Sequence, residues 1–197
     1  MKILVTGFEP FGGEAVNPAQ QAVRLLPDDI GGAKIVRQEL PVVFGTSGDI
    51  AVSAIRREQP DAVVCVGQAG GRAKITVERV AINVDDARMP DNAGNCPVDE
   101  PIVNGAPDAY FATLPIKTVV AAMQDAGVPA EVSNSAGTYV CNHLMYRVLH
   151  ETRASSVRAG FIHVPFVPEQ TENRPNVPSL PLEEIVKGLT AAIKSLV

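Results

Sequence analysis

The chain has 197 residues, of which 46% are hydrophobic and 20% are charged. This length predicts one domain, residues 1–197, with a core large enough to need no disulfide bond or metal ion to hold it together. The 22 acidic and 17 basic residues give a formal net charge of −5, which argues against a surface that binds nucleic acid or anionic lipid.

Short runs rich in valine and isoleucine alternate along the chain with helical patterns. Such continuous apolar runs are typical of strands in a parallel sheet covered on both faces, and the alternation is typical of an α/β fold. In chain order, the predicted elements are strand 3–7, helix 18–25, strand 35–40, helix 47–58, strand 62–67, helix 115–127, strand 130–133, helix 141–153, strand 159–164 and helix 181–196.

The stretch from residue 75 to residue 84 interrupts this alternation. It is predicted to be a strand, but its apolar positions change from odd numbers, Ile75 and Val77, to even numbers after Glu78. We expect a β-bulge near Glu78 and Arg79, because one extra residue reverses the face to which the following side chains point. Residues 85–104 are rich in Pro, Asn, Asp and Gly and are predicted to form an ordered insertion with turns.

The three cysteines are Cys65, Cys96 and Cys141, an odd number at wide spacing that does not suggest a disulfide framework. No Cys-x-x-Cys or His-Glu-x-x-His pair is present, and no apolar run approaches the ~18 residues of a membrane helix. The N-terminal apolar run is also too short for the core of a secretory signal. We therefore expect a soluble, cytoplasmic protein without a structural zinc site.

Unusual segments follow four of the predicted strands, at residues 7–13, 67–72, 135–141 and 163–170. Ligands of open α/β sheets bind beyond the carboxyl ends of the strands, so parallel strands would bring these segments to one edge. Together they carry a cysteine, a histidine and three phenylalanines, which predicts a functional site rather than a set of ordinary turns. The glycines match neither the dinucleotide nor the P-loop spacing, so no nucleotide site is expected.

Among the cysteines, Cys141 is the candidate nucleophile. Cys65 lies in the middle of a predicted strand, where a free cysteine usually behaves as an inert apolar residue, and Cys96 lies in a polar turn with no basic neighbour. Cys141 is predicted to begin a helix, where unpaired N–H groups and the helix dipole favour a thiolate and could hold an oxyanion. By position alone, a plain packing role for Cys141 is equally compatible with the sequence.

Of the three histidines, only His163 is placed to act as a base for Cys141. His143 and His150 share the predicted helix with Cys141 but point about 200° and 180° away from it at about 100° per residue, so they are interpreted as surface or interface residues. His163 ends a predicted strand, at the same sheet edge as Cys141. A lone histidine at a strand end is often structural, so this hypothesis depends on its pairing with Cys141.

An imidazole base usually needs a third group to orient it, and Glu78 is the candidate. Glu78 has an even number, like the apolar Val80, Ile82 and Val84 that follow it, so its side chain is predicted to point to the same, inward face. A carboxylate charge in the interior is costly without a partner. A nearby arginine, Arg72 or Arg79, is the alternative partner, and the sequence leaves both possibilities open.

Eight sequence blocks in a fixed order resemble one known family. They are GFEPFGG (7–13), NP (17–18), GQAGGR (67–72), ERVAIN (78–83), DARMPDN (86–92), AYFATLPI (109–116), AGTYVCN (136–142) and GFIHVPFVPEQ (160–170). Through them the chain resembles the type I pyroglutamyl peptidases, a family of cysteine peptidases, over nearly all of residues 6–170. Eight ordered blocks are far more specific than any single motif.

The resemblance implies removal of an N-terminal pyroglutamyl residue from peptides, without a cofactor or metal, by a three-layer α/β/α sandwich with a mixed, mostly parallel sheet. It also implies a homotetramer. Its catalytic triad falls on Cys141, His163 and Glu78. The implied oxyanion and substrate contacts are the Val140–Cys141 backbone and Arg88, and the implied pyroglutamate pocket includes Phe8, Phe11 and Gln68.

The chain departs from the family pattern at Met89, which replaces the usual isoleucine, and in a short segment between the catalytic helix and His163. Two other functions remain as alternatives: a different small-amide hydrolase on the same scaffold, and a ligand-binding protein without catalytic activity. The sequence leaves open whether residues 170–180 form an interface, a lid or a surface loop.

Overall fold

The structure is a computed structural model that describes residues 1–197. Seven of its nine strands form one sheet, and the other two pair in a small second sheet. The strands are β1 (Lys2–Phe8), β2 (Asp29–Ile30), β3 (Ala33–Leu40), β4 (Ala62–Gln68), β5 (Ile75–Glu78), β6 (Val80–Ile82), β7 (Ala109–Phe111), β8 (Ala130–Ser133) and β9 (Arg158–Val164).

Five helices cover the two faces of the large sheet. They are α1 (Pro18–Leu25), α2 (Thr46–Glu58), α3 (Ile116–Asp125), α4 (Val140–Thr152) and α5 (Leu182–Lys194). The apolar sides of α1, α3 and α5 share one core cluster with the sheet, and those of α2 and α4 share a second cluster on the other face. The architecture is the α/β/α sandwich that the resemblance implied.

The strand order of the large sheet is β2-β3-β1-β4-β9-β5-β8. β3, β1, β4 and β9 run parallel, so the segments after β1, β4 and β9 meet at one edge, as predicted. β5 runs antiparallel to β9, and β8 follows the direction of β5. The carboxyl end of β8 therefore lies at the opposite edge of the sheet from the carboxyl ends of β1, β4 and β9. Instead, residues 134–139 carry the chain to the start of α4, which lies beside Gly67.

The prediction of one bulged strand over residues 75–84 is wrong. β5 belongs to the large sheet, where Glu78 is paired with Ser133, whereas β6 pairs with β7 in the small sheet. The chain leaves one sheet for the other at Arg79, whose backbone N–H donates to Ser133 and whose carbonyl accepts from Ala112. The change of parity in the sequence coincides with this transfer, although the buried residue of β6 is Ala81 and the apolar Ile82 is exposed.

The ten elements predicted in chain order are present, each within two residues of its predicted ends. Local signals explain this agreement: Asn17 caps α1 by accepting a 3.0 Å hydrogen bond from the backbone N–H of Ala19. The short strands β2 and β7 were not predicted. No helix in the structure is both long and apolar enough to cross a membrane.

Residues 85–104 form the predicted ordered insertion. The buried Asp91 accepts hydrogen bonds from the backbone N–H groups of Phe44, Ala93 and Asn95. Asn92 donates to the Glu9 carboxylate at 2.8 Å. The insertion is thus fastened both to the start of α2 and to the segment after β1.

Candidate active site

The side chain of His163 lies on the face of the sheet where α4 begins. In the β4–β9 pair, Gly67 is opposite His163 and Gln68 is opposite Val164. Side chains alternate along a strand, so His163 points to the same face as Phe161, which belongs to the core cluster under α2 and α4. The two rings are neighbours, with centroids 4.7 Å apart.

Cys141 is the second residue of α4 and is half-buried beside β4. A Cβ atom added at Gly67 would lie 3.0 Å from the Cys141 sulfur and 2.7 Å from the Phe161 ring. Glycine at position 67 therefore allows the sulfur to approach the strand closely. Because Gly67 is the partner of His163 across the sheet, the fold brings the cysteine and the histidine selected from the sequence to the same place.

The first turn of α4 has free hydrogen-bond donors. No side chain caps this helix, and its first closed turn is the bond from the His143 N–H to the Tyr139 carbonyl at 3.1 Å. The N–H groups of Val140 and Cys141 consequently have no intrahelical acceptor. Such donors, together with the positive end of the helix dipole, can stabilise negative charge that develops near the sulfur.

The carboxylate of Glu78 joins His163 to Arg72. Its Oε1 atom lies 2.8 Å from Nδ1 of His163 and accepts a 2.8 Å hydrogen bond from Nη1 of Arg72. Arg79, the other candidate partner, bonds to Asn134 instead. Glu78 is fully buried, and its Oε2 atom has no hydrogen-bond partner. The carboxylate thus has both the histidine and one of the arginines that the sequence offered as alternatives.

Burial and pairing act in opposite directions on this group of side chains. Burial disfavours the charged form of Glu78, but the interactions with His163, together with those with Ser133 and Arg72, outweigh it and hold the pKa of Glu78 below its usual value. Burial lowers the pKa of His163 below its ordinary 6.5, although the Glu78 carboxylate opposes this shift. A charged glutamate beside a neutral imidazole is the resulting state at neutral pH.

The prediction that the pKa of Cys141 is lowered is wrong. Burial raises the pKa of the Cys141 thiol to about 12, and the nearby charge of Glu78 acts in the same direction. The helix start, from which the sequence prediction was made, does not compensate for the loss of water around the sulfur. The thiol therefore keeps its proton at neutral pH, and a nucleophilic sulfur requires proton transfer to a base.

The other two cysteines differ from Cys141 in their surroundings. Cys65 is fully buried in the middle of β4, and burial raises its pKa to about 12. Cys96 is exposed in the insertion, where its sulfur contacts the carbonyl of Ala87 at 3.4 Å. Neither is next to a histidine base, which agrees with their interpretation from the sequence.

A narrow pocket opens beside the sulfur of Cys141. Including its open mouth, the pocket encloses about 220 Å³. This volume is smaller than the ~300–1,000 Å³ usual for drug-sized ligands, and we refer to the pocket below as the slot. The lining is mostly apolar and consists of Phe8, Phe11, Asn17, Val42, Gln68, Tyr139, Val140 and Cys141.

Arg88 is not part of this pocket. It is exposed and lies in an open groove next to it, together with Met89. The groove and the pocket share Phe11 and Tyr139. Of the substrate-contact residues taken from the resemblance, the structure therefore brings together Phe8, Phe11, Gln68 and Val140, and it leaves Arg88 at the rim.

The interpretation of His143 as a surface or interface residue is wrong. His143 is buried, with Nδ1 at 2.7 Å from Oδ2 of Asp85, and its Nε2 accepts the backbone N–H of Gly45 at 3.1 Å. It points away from Cys141, as predicted, but towards the packed insertion rather than solvent. His150 is half-buried and contacts the Tyr110 hydroxyl at 2.9 Å.

Four residues of the site were not selected from the sequence. Asn17 was noted as part of the NP block (17–18), and Arg72 was named only as an alternative partner of Glu78. Tyr139 and Val42 match no functional pattern of their own in the sequence, although Tyr139 stands two residues before Cys141. Tyr139 lies at the pocket mouth, where its ring is 6.2 Å from that of Phe11 and 5.4 Å from that of Phe44.

Comparison with known proteins identifies the family. The pyroglutamyl peptidase family profile matches residues 1–197. The pyrrolidone-carboxylate peptidase of Lactobacillus johnsonii is 56% identical, over 100% of this chain and 93% of its own length. That of Thermococcus onnurineus is also 56% identical, over 99% of this chain and 98% of its own length.

The fold agrees with these sequence relatives. The crystal structure of pyroglutamyl peptidase I from Bacillus amyloliquefaciens superposes with a TM-score of 0.95 at 50% identity. The match covers 100% of this chain and 95% of that structure. The chain belongs to the pyroglutamyl peptidase family.

Proposed function

We propose that the chain is a cysteine peptidase that removes the N-terminal pyroglutamyl residue from peptides. One observation carries this proposal: the uncapped start of α4 holds Cys141 at the wall of a small apolar slot, beside a buried His163–Glu78 pair. A nucleophile, a base and free N–H donors at one pocket are the components of acyl transfer.

Cys141, His163 and Glu78 are proposed to act as the catalytic triad. The Glu78 carboxylate accepts a hydrogen bond from Nδ1 of His163, which leaves Nε2 free to act as the base. Nε2 takes the thiol proton as the sulfur bonds to the carbonyl carbon of the scissile amide, outside the lactam ring. His163 then gives that proton to the leaving amine as the C–N bond breaks, and a thioester remains on Cys141. Water attacks the thioester and gives a proton to His163; the C–S bond then breaks, and His163 returns that proton to the leaving sulfur as free pyroglutamate forms.

The backbone N–H groups of Val140 and Cys141 are proposed to bind the oxyanion of each tetrahedral intermediate. They are uncapped and have no intrahelical acceptor, so no existing hydrogen bond has to break before they bind. Arg88 is exposed in the adjoining groove, where it is placed to contact the part of the peptide beyond the pyroglutamyl residue.

The pocket favours a neutral ring over a charged terminus. Phe8, Phe11 and Val42 supply apolar walls, and Gln68 and Asn17 are the polar residues of the lining, which suits an uncharged lactam. An N-terminal glutamate would have to bury an ammonium group and a carboxylate without partners, at a cost of several kcal/mol. We therefore expect rejection of peptides that begin with ordinary glutamate.

The test of this proposal is the hydrolysis of a fluorogenic pyroglutamyl amide. We expect turnover of this substrate, no turnover of the matching glutamyl amide, and complete loss after treatment with a thiol alkylator. A panel of other N-terminally blocked amides serves as the control for a different small-amide hydrolase. Preferential cleavage of another blocked amide, or turnover that survives alkylation of Cys141, contradicts the proposal.

The pH dependence of kcat/KM tests the charge states of the triad. His163 must be neutral to accept the thiol proton, and burial lowers its pKa below 6.5. We expect the acid limb to have its midpoint below pH 6.5, because activity is lost only when pH falls through this lowered pKa. The Cys141 pKa of about 12 predicts no alkaline limb from the thiol below about pH 10. A midpoint above 6.5 would be inconsistent with a buried neutral base.

We further propose that residues 1–197 act as one domain that forms a cytoplasmic homotetramer and needs no cofactor. The family profile supports the single domain by matching residues 1–197. The tetramer follows from the resemblance, and the location is the expectation drawn from the cysteine usage. Phe111 on the small sheet offers an apolar side chain, 69% exposed, for contact between subunits. A light-scattering mass of four times 20.8 kDa is the expected result.

A further inference from the structure

Residues 166–180 form an Ω-loop that is fastened at its ends and to the body of the protein. The Leu180 N–H donates to the Phe166 carbonyl at 2.8 Å, which closes the loop. The Phe166 ring packs against Gly70, where an added Cβ would lie 2.2 Å from the ring. Arg174 lies 5.4 Å from the centre of that ring and pairs with Glu14 at 2.7 Å. The loop is thus tied to the segments that follow β1 and β4.

Gln170 is the buried polar side chain of this loop, with 8% of its surface exposed. Its Nε2 atom donates towards Oε1 of Gln68 at 3.0 Å, Oε2 of Glu14 at 3.1 Å and the carbonyl of Val16 at 3.3 Å. Its Oε1 atom accepts the backbone N–H of Val167 at 3.2 Å. Both ends of the amide are therefore occupied.

The surroundings allow only one orientation of the Gln170 amide. The Val167 N–H can only donate, and the Val16 carbonyl and the Glu14 carboxylate can only accept. A reversed amide would set donor against donor at Val167 and acceptor against acceptor at Val16 and Glu14. Gln170 must therefore present an N–H group to Gln68.

This fixed donor determines which way the Gln68 amide faces. Gln68 must turn its Oε1 atom towards Gln170, so its Nε2 atom points the other way. Gln68 lines the slot together with Cys141 and is 7% exposed. Its side-chain hydrogen bond within the protein is the one that it accepts from Gln170, so its NH₂ group has no partner in the protein.

We propose that Gln170 is a positioning residue that orients Gln68 so that its NH₂ group donates to the ring carbonyl of a lactam bound in the slot. The inference rests on the proposed function and deepens it, because it assigns the recognition of one ring atom to a relay from the Ω-loop. Residues 170–180, for which the sequence left three roles open, then serve the pocket rather than only covering the surface.

The test is Gln170→Glu, measured by the KM and kcat for a pyroglutamyl amide and by the inhibition constant of 2-pyrrolidinone. A carboxylate at position 170 can only accept, so Gln68 reverses and turns its oxygen towards the ring carbonyl. We expect KM and the 2-pyrrolidinone inhibition constant to rise about 10- to 100-fold. The kcat is expected to change less than about threefold, since the triad is untouched. Glu169→Gln, an exposed neighbour, is the matched control and keeps wild-type constants.

A double variant separates positioning from simple stability. Glu14→Gln with Gln170→Glu exchanges the two groups and avoids two facing carboxylates, so its Tm is expected to recover towards that of the wild type. Gln68 still faces a group that only accepts, so the raised KM and inhibition constant are expected to persist. If the exchange restores binding together with Tm, Gln170 is merely structural and the proposal is overturned.

The other possible results of these experiments also support or contradict the proposed role of Gln170. If neither carboxylate variant folds, Gln170→Met removes the donor without adding charge, and an about 3- to 10-fold rise in KM is expected. Unchanged KM and inhibition constant in a folded Gln170 variant contradict the proposal while leaving the peptidase activity established. Failure of the wild type to cleave any pyroglutamyl amide instead contradicts the proposed function itself.

Discussion

Replacement of Cys141 by alanine is expected to abolish cleavage of a pyroglutamyl amide, with kcat reduced about 10³- to 10⁶-fold. The Cys141 sulfur is the atom proposed to form the thioester, and Cys141 is the cysteine that lines the pocket. The substitution removes a half-buried group at a helix start, so the fold should persist. The measurement is a steady-state assay combined with a thermal melt of both proteins.

The controls for this result are Cys65→Ala and Cys96→Ala. Cys65 lies in a strand within the core, and Cys96 lies in an exposed turn. Each variant is therefore expected to keep most of the activity. Cys65→Ala leaves a small cavity and is expected to lower the free energy of unfolding by about 1 kcal/mol. Full activity in Cys141→Ala would refute the assignment of the nucleophile.

Glu78→Gln is expected to lower kcat about 10²- to 10⁴-fold while the protein stays folded. The amide has the shape of the carboxylate but not its charge, so it neither stabilises the imidazolium nor secures the tautomer of His163. Since Oε2 of Glu78 has no hydrogen-bond partner, an NH₂ group in its place breaks no existing bond. The loss of charged hydrogen bonds to His163 and Arg72 is expected to reduce the free energy of unfolding by about 1–3 kcal/mol.

Arg72→Gln is the matched control for Glu78→Gln. Arg72 and His163 bond to the same carboxylate oxygen, so removal of the arginine keeps the bond between glutamate and histidine. We expect this variant to retain far more activity than Glu78→Gln, as measured by kcat in the same assay. Equal losses in the two variants, or unfolding of Glu78→Gln alone, would mean that Glu78 serves as a structural partner of Arg72.

The features that the sequence predicted well depend on residues close together in the chain. The cap at Asn17 and the glycine-containing turn before Cys141 are local signals, which is why α1 and the start of α4 are where they were expected. Helix geometry directed His143 and His150 away from Cys141, and this conclusion needs only the periodicity of one element. Glu78 is buried as expected, but the parity that predicted this came from positions 80–84, which lie outside its strand.

The features that the sequence could not settle depend on which elements meet in space. The choice between Arg72 and Arg79 as a partner of Glu78 was decided by the transfer of the chain to the small sheet at Arg79, which turns that arginine towards Asn134. The insertion covers His143, so a residue interpreted as exposed is buried against Asp85. Neither contact has a signature within one element, because both join residues far apart in the chain.

The charge state of Cys141 shows this division most clearly. The sequence by itself determined that a cysteine stands at a helix start, since turn and helix signals lie within a few residues of it. Only the tertiary structure decided that the sulfur is packed against Gly67 and that its pKa rises to about 12. Desolvation depends on every atom that surrounds a group, and those atoms come from strands and helices that the local sequence does not contain.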